Sequence, residues 1–319
     1  MSVDTRPTVL VLGGGPDAER SVSLTSSRAV TDALYGLGTY KVNYQVIHRP
    51  TPEEIAAMAG DVVFPVLHGG WGEGGELQAI LESQPQRPFI GCGSAAAALA
   101  MDKVATKMAA ARAGVATPAC AVLNIASTRC PLPLPVVVKP VHEGSSVGLH
   151  VCRTEEEWQA ARLAVANDLA ESRDEHPGRV YMVERMIAGR ELTLGILERG
   201  GDLTALPIVE INPKTGVYDF HAKYERGDTV YRASPELPPG VVEAVEEAGL
   251  RVAQALGVRH LCRVDFMLAD DGTPWLLELN TMPGFTPTSL LPKAAAAVGM
   301  DFAALCNHLV GLALAPARG

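Results

Sequence analysis

Two apolar segments near residue 270 carry charged and amide side chains at alternate positions. Arg263 and Asp265 lie in the first segment, and Glu278 and Asn280 lie in the second. The Asp271-Gly272 dipeptide between them predicts a β-hairpin with a two-residue loop. In that register Asp265 is directly opposite Glu278, and Arg263 is opposite Asn280. Because residues two apart share a strand face, all four side chains project from one side of the hairpin.

This polar face offers oxygen ligands to a metal ion. Two carboxylates and one amide oxygen suit Mg²⁺, which binds few carboxylates together with substrate phosphates. The alternative is the exposed charged face of an ordinary amphipathic hairpin, and the pattern alone does not separate the two. Both interpretations place the same residues on the apolar face: Val264, Phe266, Leu277 and Leu279.

A second segment, VVVKPVHEGSSVG, joins a lysine to a loop rich in glycine and serine. Lys139 ends a run of valines, where an ammonium group is unfavourable without an anionic partner. The backbone N–H groups of residues 144–148 are able to surround phosphate oxygens, as glycine-rich loops do. The segment lacks the Gly-Lys-Ser/Thr sequence of a Walker A loop. A plain hairpin loop is the alternative.

Further polar residues fall where the N-terminal strands end. Gly13-Gly14-Gly15 closes the first predicted strand, but its spacing and Pro16 argue against a dinucleotide-binding turn. Glu19 and His68 follow the first and third predicted strands, at the edge where α/β sheets bind ligands. A structural role is the alternative for each.

The elements that position these residues fall into two patterns. Over the first ninety residues strands alternate with helices, which predicts a parallel α/β sheet with a fourth strand at 88–93. A long alanine-rich helix is expected from Ser94 to Gly114. The segments after it indicate antiparallel α+β structure. Residues 212–235 show no clear periodicity, and loops of that length are usually functional or disordered.

The composition of the 319 residues excludes several classes of protein. With 47% hydrophobic residues, the chain is expected to fold into about two domains. A net charge of −9 argues against broad binding to nucleic acid, and no apolar run reaches the roughly 20 residues of a membrane span. The six cysteines lack CxxC spacing, and the N-terminus lacks the features of a signal peptide. We therefore expect a cytoplasmic protein with reduced thiols.

A series of motifs gives the chain a family resemblance. In chain order they are GGGPDAERSVSL, HGGWGEGGELQAILE, MDK, VVVKPVHEGSSVG, YDFHAKY, RVDFML and ELNTMPGFTPTSL. They cover about residues 8–291 and resemble the D-alanine–D-alanine ligases of the ATP-grasp superfamily.

The resemblance implies an architecture that combines α/β and α+β parts. A Rossmann-like (pre-ATP-grasp) domain with a parallel sheet is expected over 1–94, and a two-part ATP-grasp fold follows it. Its central subdomain spans 95–179 and its C-terminal subdomain spans 180–319, with a lid at 212–235.

The resemblance also implies a reaction. ATP phosphorylates the carboxylate of one D-alanine, and the amine of a second attacks the D-alanyl phosphate, which gives a dipeptide for peptidoglycan precursors. The family uses two Mg²⁺ ions, for which Mn²⁺ substitutes, and the chain is expected to be a homodimer. The alternatives are a D-alanine–D-lactate ligase, which Tyr224 in YDFHAKY disfavours, a D-alanine–D-serine ligase, and a catalytically silent ATP-binding paralogue.

The matched residues around the two amino-acid substrates have separate implied roles. Glu19 matches the residue that holds the ammonium group of the first D-alanine, and His68 lies nearby. Ser145 and Tyr224 match a hydroxyl pair linked to Glu19. The oxyanion stabilisers match Arg263 and the backbone N–H of Gly284. The site for the second substrate's carboxylate matches Lys223, Ser289 and the Leu290 backbone.

The remaining matched residues bind the nucleotide and the metal. Lys103 and Lys139 match the lysines on the ATP phosphates, and Glu184 and Glu191 match the acids that read adenine and ribose. The other nucleotide-binding positions are Glu143, Ser145, Ser146, Met186, Ile187 and Asn280. The Mg²⁺ ligands match Asp265, Glu278 and Asn280.

Three positions depart from the family pattern. Gly74 replaces an aspartate, Ala79 replaces a glycine, and His221 stands where an acid is common. These changes put the geometry around the His68 loop and the dimer surface in question.

Overall fold

The structure is a computed structural model that describes residues 4–144, 148–172, 178–213 and 229–315. Within these ranges it contains three β-sheets, one parallel and two antiparallel. Two cavities are each built from more than one part of the chain. The arrangement of the sheets therefore decides which side chains meet.

The first sheet is parallel, as the alternating pattern predicts. Its strand order is β2-β1-β3, and β1 pairs with both neighbours. The elements of this part are β1 Thr8–Gly14, α1 Arg20–Leu37, β2 Lys41–Ile47, α2 Pro52–Ala57, β3 Val62–Pro65, α3 Gly70–Glu73 and α4 Glu76–Glu82. Because α1 and α3 both follow strands, their first residues lie at the carboxyl edge of this sheet.

The fourth strand predicted at 88–93 is wrong. Only one bridge forms there, between Val63 and Phe89. Val63 N donates to Pro88 O, and Ile90 N donates to Val63 O, both at 2.9 Å. The backbone then turns at Gly91, whose φ of +100° is left-handed, so the pairing cannot extend into a ladder.

The single helix predicted from Ser94 to Gly114 is two helices, α5 Ser94–Met101 and α6 Lys103–Arg112. Asp102 between them adopts extended backbone angles, and its carboxylate accepts hydrogen bonds from the N–H groups of Val104 and Ala105 at 2.9 Å. Aspartate favours this N-cap position over a helix interior, so the alanine-rich sequence breaks there. Consequently α6 begins at Lys103.

The second sheet is antiparallel, with strand order β4-β7-β5-β6. Its elements are β4 Cys120–Val122, β5 Val136–Pro140, β6 His150–Cys152, α7 Glu155–Glu171 and β7 Tyr181–Arg185. Trp158 of α7 is fully buried against Val136, Val138 and Val183, which form the apolar side of this sheet. Lys139 and Glu184 therefore belong to neighbouring strands of one sheet.

The third sheet has the order β11-β10-β8-β12-β13, and β9 pairs with β8. Its elements are β8 Arg190–Arg199, β9 Asp202–Ala205, β10 Val209–Asn212, β11 Val230–Ala233, α8 Val241–Ala255, β12 Leu261–Leu268, β13 Pro274–Asn280, α9 Leu290–Ala297 and α10 Phe302–Leu314. The segment 212–235 was expected to lack regular structure, but its residues 230–233 form β11, antiparallel to β10.

The apolar cores join these parts. Leu305 and Leu309 of α10 share one core with Val9 and Phe64 of the first sheet. Ala100 and Ala110 of the alanine-rich helices share another core with Val264 of the third sheet. The domain boundaries at 94 and 179 stay a prediction.

A sharp bend separates the final two helices, α9 and α10. In the described part of the chain no single helix is long and apolar enough to cross a membrane. Leu290–Ala297 and Phe302–Leu314 reach that length and composition only as a pair, and they meet at a bend of 100°. All six cysteines are free thiols, as the sequence predicts.

Candidate active site

The predicted pairing across the hairpin is confirmed, although the predicted loop is wrong. Asp265 is opposite Glu278, and Arg263 is opposite Asn280. The loop nevertheless has three residues, 270–272, because Ala269 N donates to Thr273 O at 3.0 Å. Gly272 at its end has a φ of +83°, the left-handed conformation of three-residue hairpin loops.

A β-bulge restores the register that this loop shifts. The ladder pairs Phe266 with Leu276 but Asp265 with Glu278, so Leu277 is the extra residue on β13. The sequence pattern placed Leu277 on the apolar face, and this prediction is wrong. Leu277 and Glu278 both line the first cavity, whereas Leu276 and Leu279 are buried.

Asp265 is buried, and its carboxylate is held by three neighbours. Arg263 donates from Nε to Oδ1 at 2.9 Å and from Nη2 to Oδ2 at 2.8 Å. The Thr193 hydroxyl donates to Oδ1 at 2.6 Å, and Asn280 Nδ2 donates to Oδ2 at 3.3 Å. These contacts occupy two acceptor positions on each oxygen. A cation bound to Asp265 must therefore displace at least one of these donors.

The first cavity has a volume of about 570 Å³ and lies between the second and third sheets. Lys103, Lys139 and Glu184 contribute polar groups to its wall, and Val137, Met186 and Leu277 contribute apolar ones. Lys103 Nζ lies 3.7 Å from Glu278 Oε2 and donates to the Glu143 carbonyl at 2.5 Å. The cavity thus combines an apolar slot with cationic groups, which suits a nucleotide.

Glu184 forms the centre of a buried charge cluster in this wall. Lys139 Nζ lies 2.6 Å from its Oε1, and Lys107 Nζ lies 2.8 Å from its Oε2. Burial alone would raise the pKa of the Glu184 carboxyl, but the two ammonium groups outweigh burial and lower it. The carboxylate is therefore ionised and held between two cations.

The second cavity, of about 530 Å³, is lined by Glu19, His68, Arg263 and Ser289 among others. The Glu19 carboxylate lies against two glycines. A Cβ atom on Gly144 would be 2.7 Å from Oε1, and one on Gly69 would be 2.7 Å from Oε2. The close approach of both loops to this carboxylate depends on the absence of side chains there.

Two buried titratable groups lie beside Glu19. Burial lowers the pKa of His68 to about 4, while its ring nitrogens contact Met282 O at 3.1 Å and Ser26 Oγ at 3.3 Å. Burial and the nearby Glu19 carboxylate raise the pKa of Glu73 to about 8, and Glu73 Oε1 accepts from Gly69 N at 3.0 Å. At neutral pH the histidine is therefore uncharged, and the Glu73 carboxyl is largely protonated.

The far side of the second cavity is the start of α9. Ser289 is the N-cap residue of this helix, and its hydroxyl accepts from Thr286 N at 3.0 Å. The N-terminus of a helix exposes backbone N–H groups that favour an anion. Gly284 lines the same wall, where a Cβ atom would lie 3.4 Å from Ser289 Oγ.

The structure brings every described candidate residue to one of the two cavities. The first is lined by Lys103, Lys139, Glu143, Glu184, Met186, Ile187, Glu191, Asp265 and Glu278. The second is lined by Glu19, His68, Arg263, Glu278, Asn280, Gly284, Ser289 and Leu290. Four candidates, Ser145, Ser146, Lys223 and Tyr224, lie outside the described residues. Glu278 lines both cavities, so the two cavities meet at this residue.

Two of the departures from the family pattern can be located. At Gly74 a Cβ atom would lie 2.2 Å from Gly70 O, so this backbone leaves no room for the usual aspartate. Ala79 is exposed on α4. His221 lies outside the described residues.

Sequence reasoning missed three residues of the site. Lys107 follows Lys103 by four positions, one helical turn, and this spacing was the available signal. Glu73 is the acid of the glycine-rich GWGEGG segment. Thr193 lies on β8 opposite Asp265, and no motif marks it.

The donor atoms at the hairpin agree in kind with the predicted Mg²⁺ site. Asp265, Glu278 and Asn280 supply carboxylate and amide oxygens on one face, and Mg²⁺ accepts such ligands together with water and phosphate oxygens. In the described part of the chain no group of three or more His, Cys, Asp or Glu side chains is placed to hold a metal ion. The site therefore depends on further oxygen atoms, which a bound nucleotide would provide.

Comparisons with known proteins agree with this geometry. Residues 116–311 match the family described as D-ala D-ala ligase C-terminus. A D-alanine–D-alanine ligase of Syntrophotalea carbinolica is 40% identical over 304 residues, covering 95% of this chain and 94% of that protein. The ligase of Bordetella petrii is 40% identical over 306 residues, covering 94% and 90%.

Solved structures give the same result. A D-alanine–D-alanine ligase of Bacillus anthracis complexed with ATP superposes with a TM-score of 0.79 at 28% identity, over 98% of both chains. The VanG D-Ala:D-Ser ligase of Enterococcus faecalis superposes with a TM-score of 0.80 at 26% identity, over 97% of this chain and 100% of that one. The parallel sheet followed by two antiparallel sheets is thus the ATP-grasp architecture expected from the motifs. The chain belongs to the D-alanine–D-alanine ligase family.

Proposed function

We infer that this protein joins two D-alanine molecules to D-alanyl-D-alanine at the expense of ATP. One observation carries the inference: a cavity with buried lysines and a cavity with an acid, an arginine and a helix N-terminus meet at Glu278. A reaction that transfers phosphate to one substrate and then joins it to another requires two such adjacent sites.

In the first step a carboxylate oxygen of one D-alanine attacks the γ-phosphorus of ATP. The bond from that phosphorus to ADP breaks, and D-alanyl phosphate forms. Glu19 binds the ammonium group of this D-alanine, and Lys103 and Lys139 neutralise the phosphates. Asp265, Glu278 and Asn280 would hold Mg²⁺, which supplies further neutralisation of phosphate charge.

In the second step the amine of the other D-alanine attacks the acyl carbon. Inorganic phosphate leaves, the peptide bond forms, and the proton from the amine is released. Arg263 and the N–H of Gly284 face the position of the developing oxyanion, while Ser289 and the start of α9 bind the incoming carboxylate. In this proposal Lys223 also binds that carboxylate, and Ser145 and Tyr224 are linked to Glu19. The part of the predicted lid that lies outside the described residues excludes water.

The assembly and location belong to the same proposal. ATP and D-alanine are the substrates, the product enters peptidoglycan precursors, and the enzyme acts as a homodimer in the cytoplasm. Mn²⁺ replaces Mg²⁺ at the oxygen ligands.

A D-alanine–D-serine ligase is the second candidate, because the VanG enzyme shares the fold. The discriminating experiment incubates the protein with ATP, Mg²⁺ and D-alanine, together with equal D-serine or D-lactate, and identifies products by mass spectrometry. We expect D-alanyl-D-alanine to dominate at neutral pH. A dominant mixed product would establish one of the alternatives. Failure to release phosphate with any D-amino acid pair, despite normal ATP binding, would favour a silent paralogue.

A further inference from the structure

Lys107 is a buried lysine that lies behind the wall of the first cavity. Its relative exposure is 3%, and it is absent from the described residues that line that cavity. Lys139 and Glu184, by contrast, both line the cavity. Lys107 therefore influences the cavity indirectly, through its ion pair with Glu184.

Lys107 is fixed on its other side. Its Nζ atom donates to Thr117 Oγ1 at 2.9 Å, and Thr117 Oγ1 donates to the carbonyl of Leu276 at 3.0 Å. Leu276 N in turn donates to Ala116 O at 2.9 Å. The ammonium group is thus anchored through Thr117 to the backbone of β13. It therefore stays behind the cavity wall when a ligand binds.

The charges in this cluster are unequal. Two ammonium groups, those of Lys107 and Lys139, surround the single Glu184 carboxylate. If Lys139 were the only partner, its movement towards an anionic ligand would leave a buried carboxylate unpaired, which costs several kcal/mol. With Lys107 in place, Glu184 keeps a cationic partner while Lys139 contacts that ligand.

We propose that Lys107 is a positioning residue for nucleotide binding: it neutralises Glu184 from behind the cavity wall and so leaves Lys139 available to a nucleotide phosphate. This rests on the proposed function, because it takes the first cavity as the nucleotide site. The effect concerns phosphates and not the base, since Lys139 alone still holds the Glu184 carboxylate when phosphates are absent.

The test measures the dissociation constants of ADP with Mg²⁺ and of adenosine by calorimetry, on the wild type and on Lys107→Met. We expect the constant for ADP to rise roughly tenfold or more, and that for adenosine to change by less than about threefold. Lys41→Met, which removes a lysine distant from both cavities, is the control and should change neither constant. A general structural defect in Lys107→Met would weaken both ligands equally and would overturn the proposal.

A second comparison uses Glu184→Gln, which removes the charge that Lys107 neutralises. In that background Lys107→Met should change the dissociation constant of ADP by less than about twofold. A neutral amide at position 184 forms no ion pair with Lys139, so Lys139 is available to a phosphate with or without Lys107. Equal losses in both backgrounds would contradict the role assigned to Glu184. If Lys107→Met alone does not fold, a change in the ADP constant of more than about twofold between Glu184→Gln and the double variant would still overturn the proposal. Since binding is measured without ligation, the result is independent of which amino acids the enzyme joins.

Discussion

Asp265 faces Glu278 across the β12–β13 hairpin because two irregularities in that hairpin offset each other. A three-residue loop shifts the pairing by one position, and the bulge at Leu277 shifts it back. The bulge also brings Leu277 to the same side as Glu278, so an apolar side chain and a carboxylate share the cavity wall. In the proposed function, this hairpin would therefore contact both the nucleotide and the Mg²⁺ ion.

The first prediction concerns Glu278, which lines both cavities. Glu278→Gln should lower kcat by roughly 100-fold or more, because an amide binds Mg²⁺ far more weakly than a carboxylate does. The measurement is the initial rate of phosphate release as a function of Mg²⁺ concentration. Asp270→Asn, in the exposed loop of the same hairpin, is the control and should behave as the wild type. Unchanged turnover in Glu278→Gln would remove Glu278 from the metal site.

The second prediction separates the two amino-acid sites. Glu19→Gln should raise the D-alanine KM of the first site by roughly 10- to 100-fold, because the charge-assisted bond to the ammonium group is lost. Hydroxylamine, supplied in place of the second D-alanine, captures the acyl phosphate as a hydroxamate and isolates this site. The KM for ATP should not change, and Glu53→Gln on the surface of α2 is the control. A selective rise in the KM for ATP would show that Glu19 acts elsewhere.

The third prediction concerns the hairpin loop. Gly272→Ala should lower the free energy of unfolding by roughly 1–2 kcal/mol, because a left-handed backbone is unfavourable for a residue with a Cβ atom. No steric clash contributes, since the nearest atom to that Cβ would be 3.8 Å away. Gly272→Asn should cost less. Gly36→Ala, within helix α1 and with open space around it, should be stabilising instead. Urea denaturation measures all three, and equal effects at both glycines would refute the backbone explanation.

The fourth prediction is a pH dependence of stability. Burial lowers the pKa of His68 and of His260 to about 4. Between the ordinary histidine pKa and that value, the unfolded chain binds more protons, so the free energy of unfolding falls as the pH drops from about 6.5 to 4. Protonation would also end the hydrogen bond from Gly91 N to His260 Nδ1.

Glu73 acts in the opposite direction. Its pKa of about 8 means that the folded state keeps a proton that the unfolded state loses above about 4.5, so its contribution declines as the pH rises towards 8. Urea titrations of His260→Asn and Glu73→Gln at several pH values separate the two effects. In His260→Asn the free energy of unfolding should fall less between pH 6.5 and 4 than in the wild type. In Glu73→Gln it should fall less as the pH rises towards 8. A wild-type pH profile in either variant would disprove its assignment.

The sequence predicts the strand pairing of the hairpin more reliably than its loop. Alternation on β12 and β13 places Asp265 and Glu278 on one face, and burial of the other face preserves that arrangement through the bulge. The bulge itself is invisible in the sequence, because Leu276, Leu277 and Leu279 are equally apolar. The pairing of Asp265 with Glu278 therefore follows from the alternation of apolar and polar residues. The position of the bulge at Leu277 depends on tertiary packing, which the sequence does not display.

Lys107 was missed because its role depends on tertiary contacts. The sequence predicts one helix that runs through Asp102 to Lys107. In the structure Asp102 is instead the N-cap residue of α6, and this break fixes where Lys103 and Lys107 lie relative to the site. One partner of Lys107, Glu184, comes from a distant part of the chain, and its other partner, Thr117, lies ten residues further along. The four-residue spacing of Lys103 and Lys107 indicates a shared helix face but not the contact with Glu184. The motif residues Glu19 and Arg263, by contrast, are recognisable individually.

The measurement that tests the central claim most directly is isotope transfer during a complete reaction. The protein is incubated with ATP, Mg²⁺ and D-alanine that carries ¹⁸O in its carboxylate, and the dipeptide and phosphate are analysed by mass spectrometry. A D-alanyl phosphate passes its bridging oxygen to the phosphate that leaves. The account predicts D-alanyl-D-alanine and inorganic phosphate in equal amounts, with one ¹⁸O atom in each phosphate. Unlabelled phosphate, or labelled phosphate without the dipeptide, would contradict it.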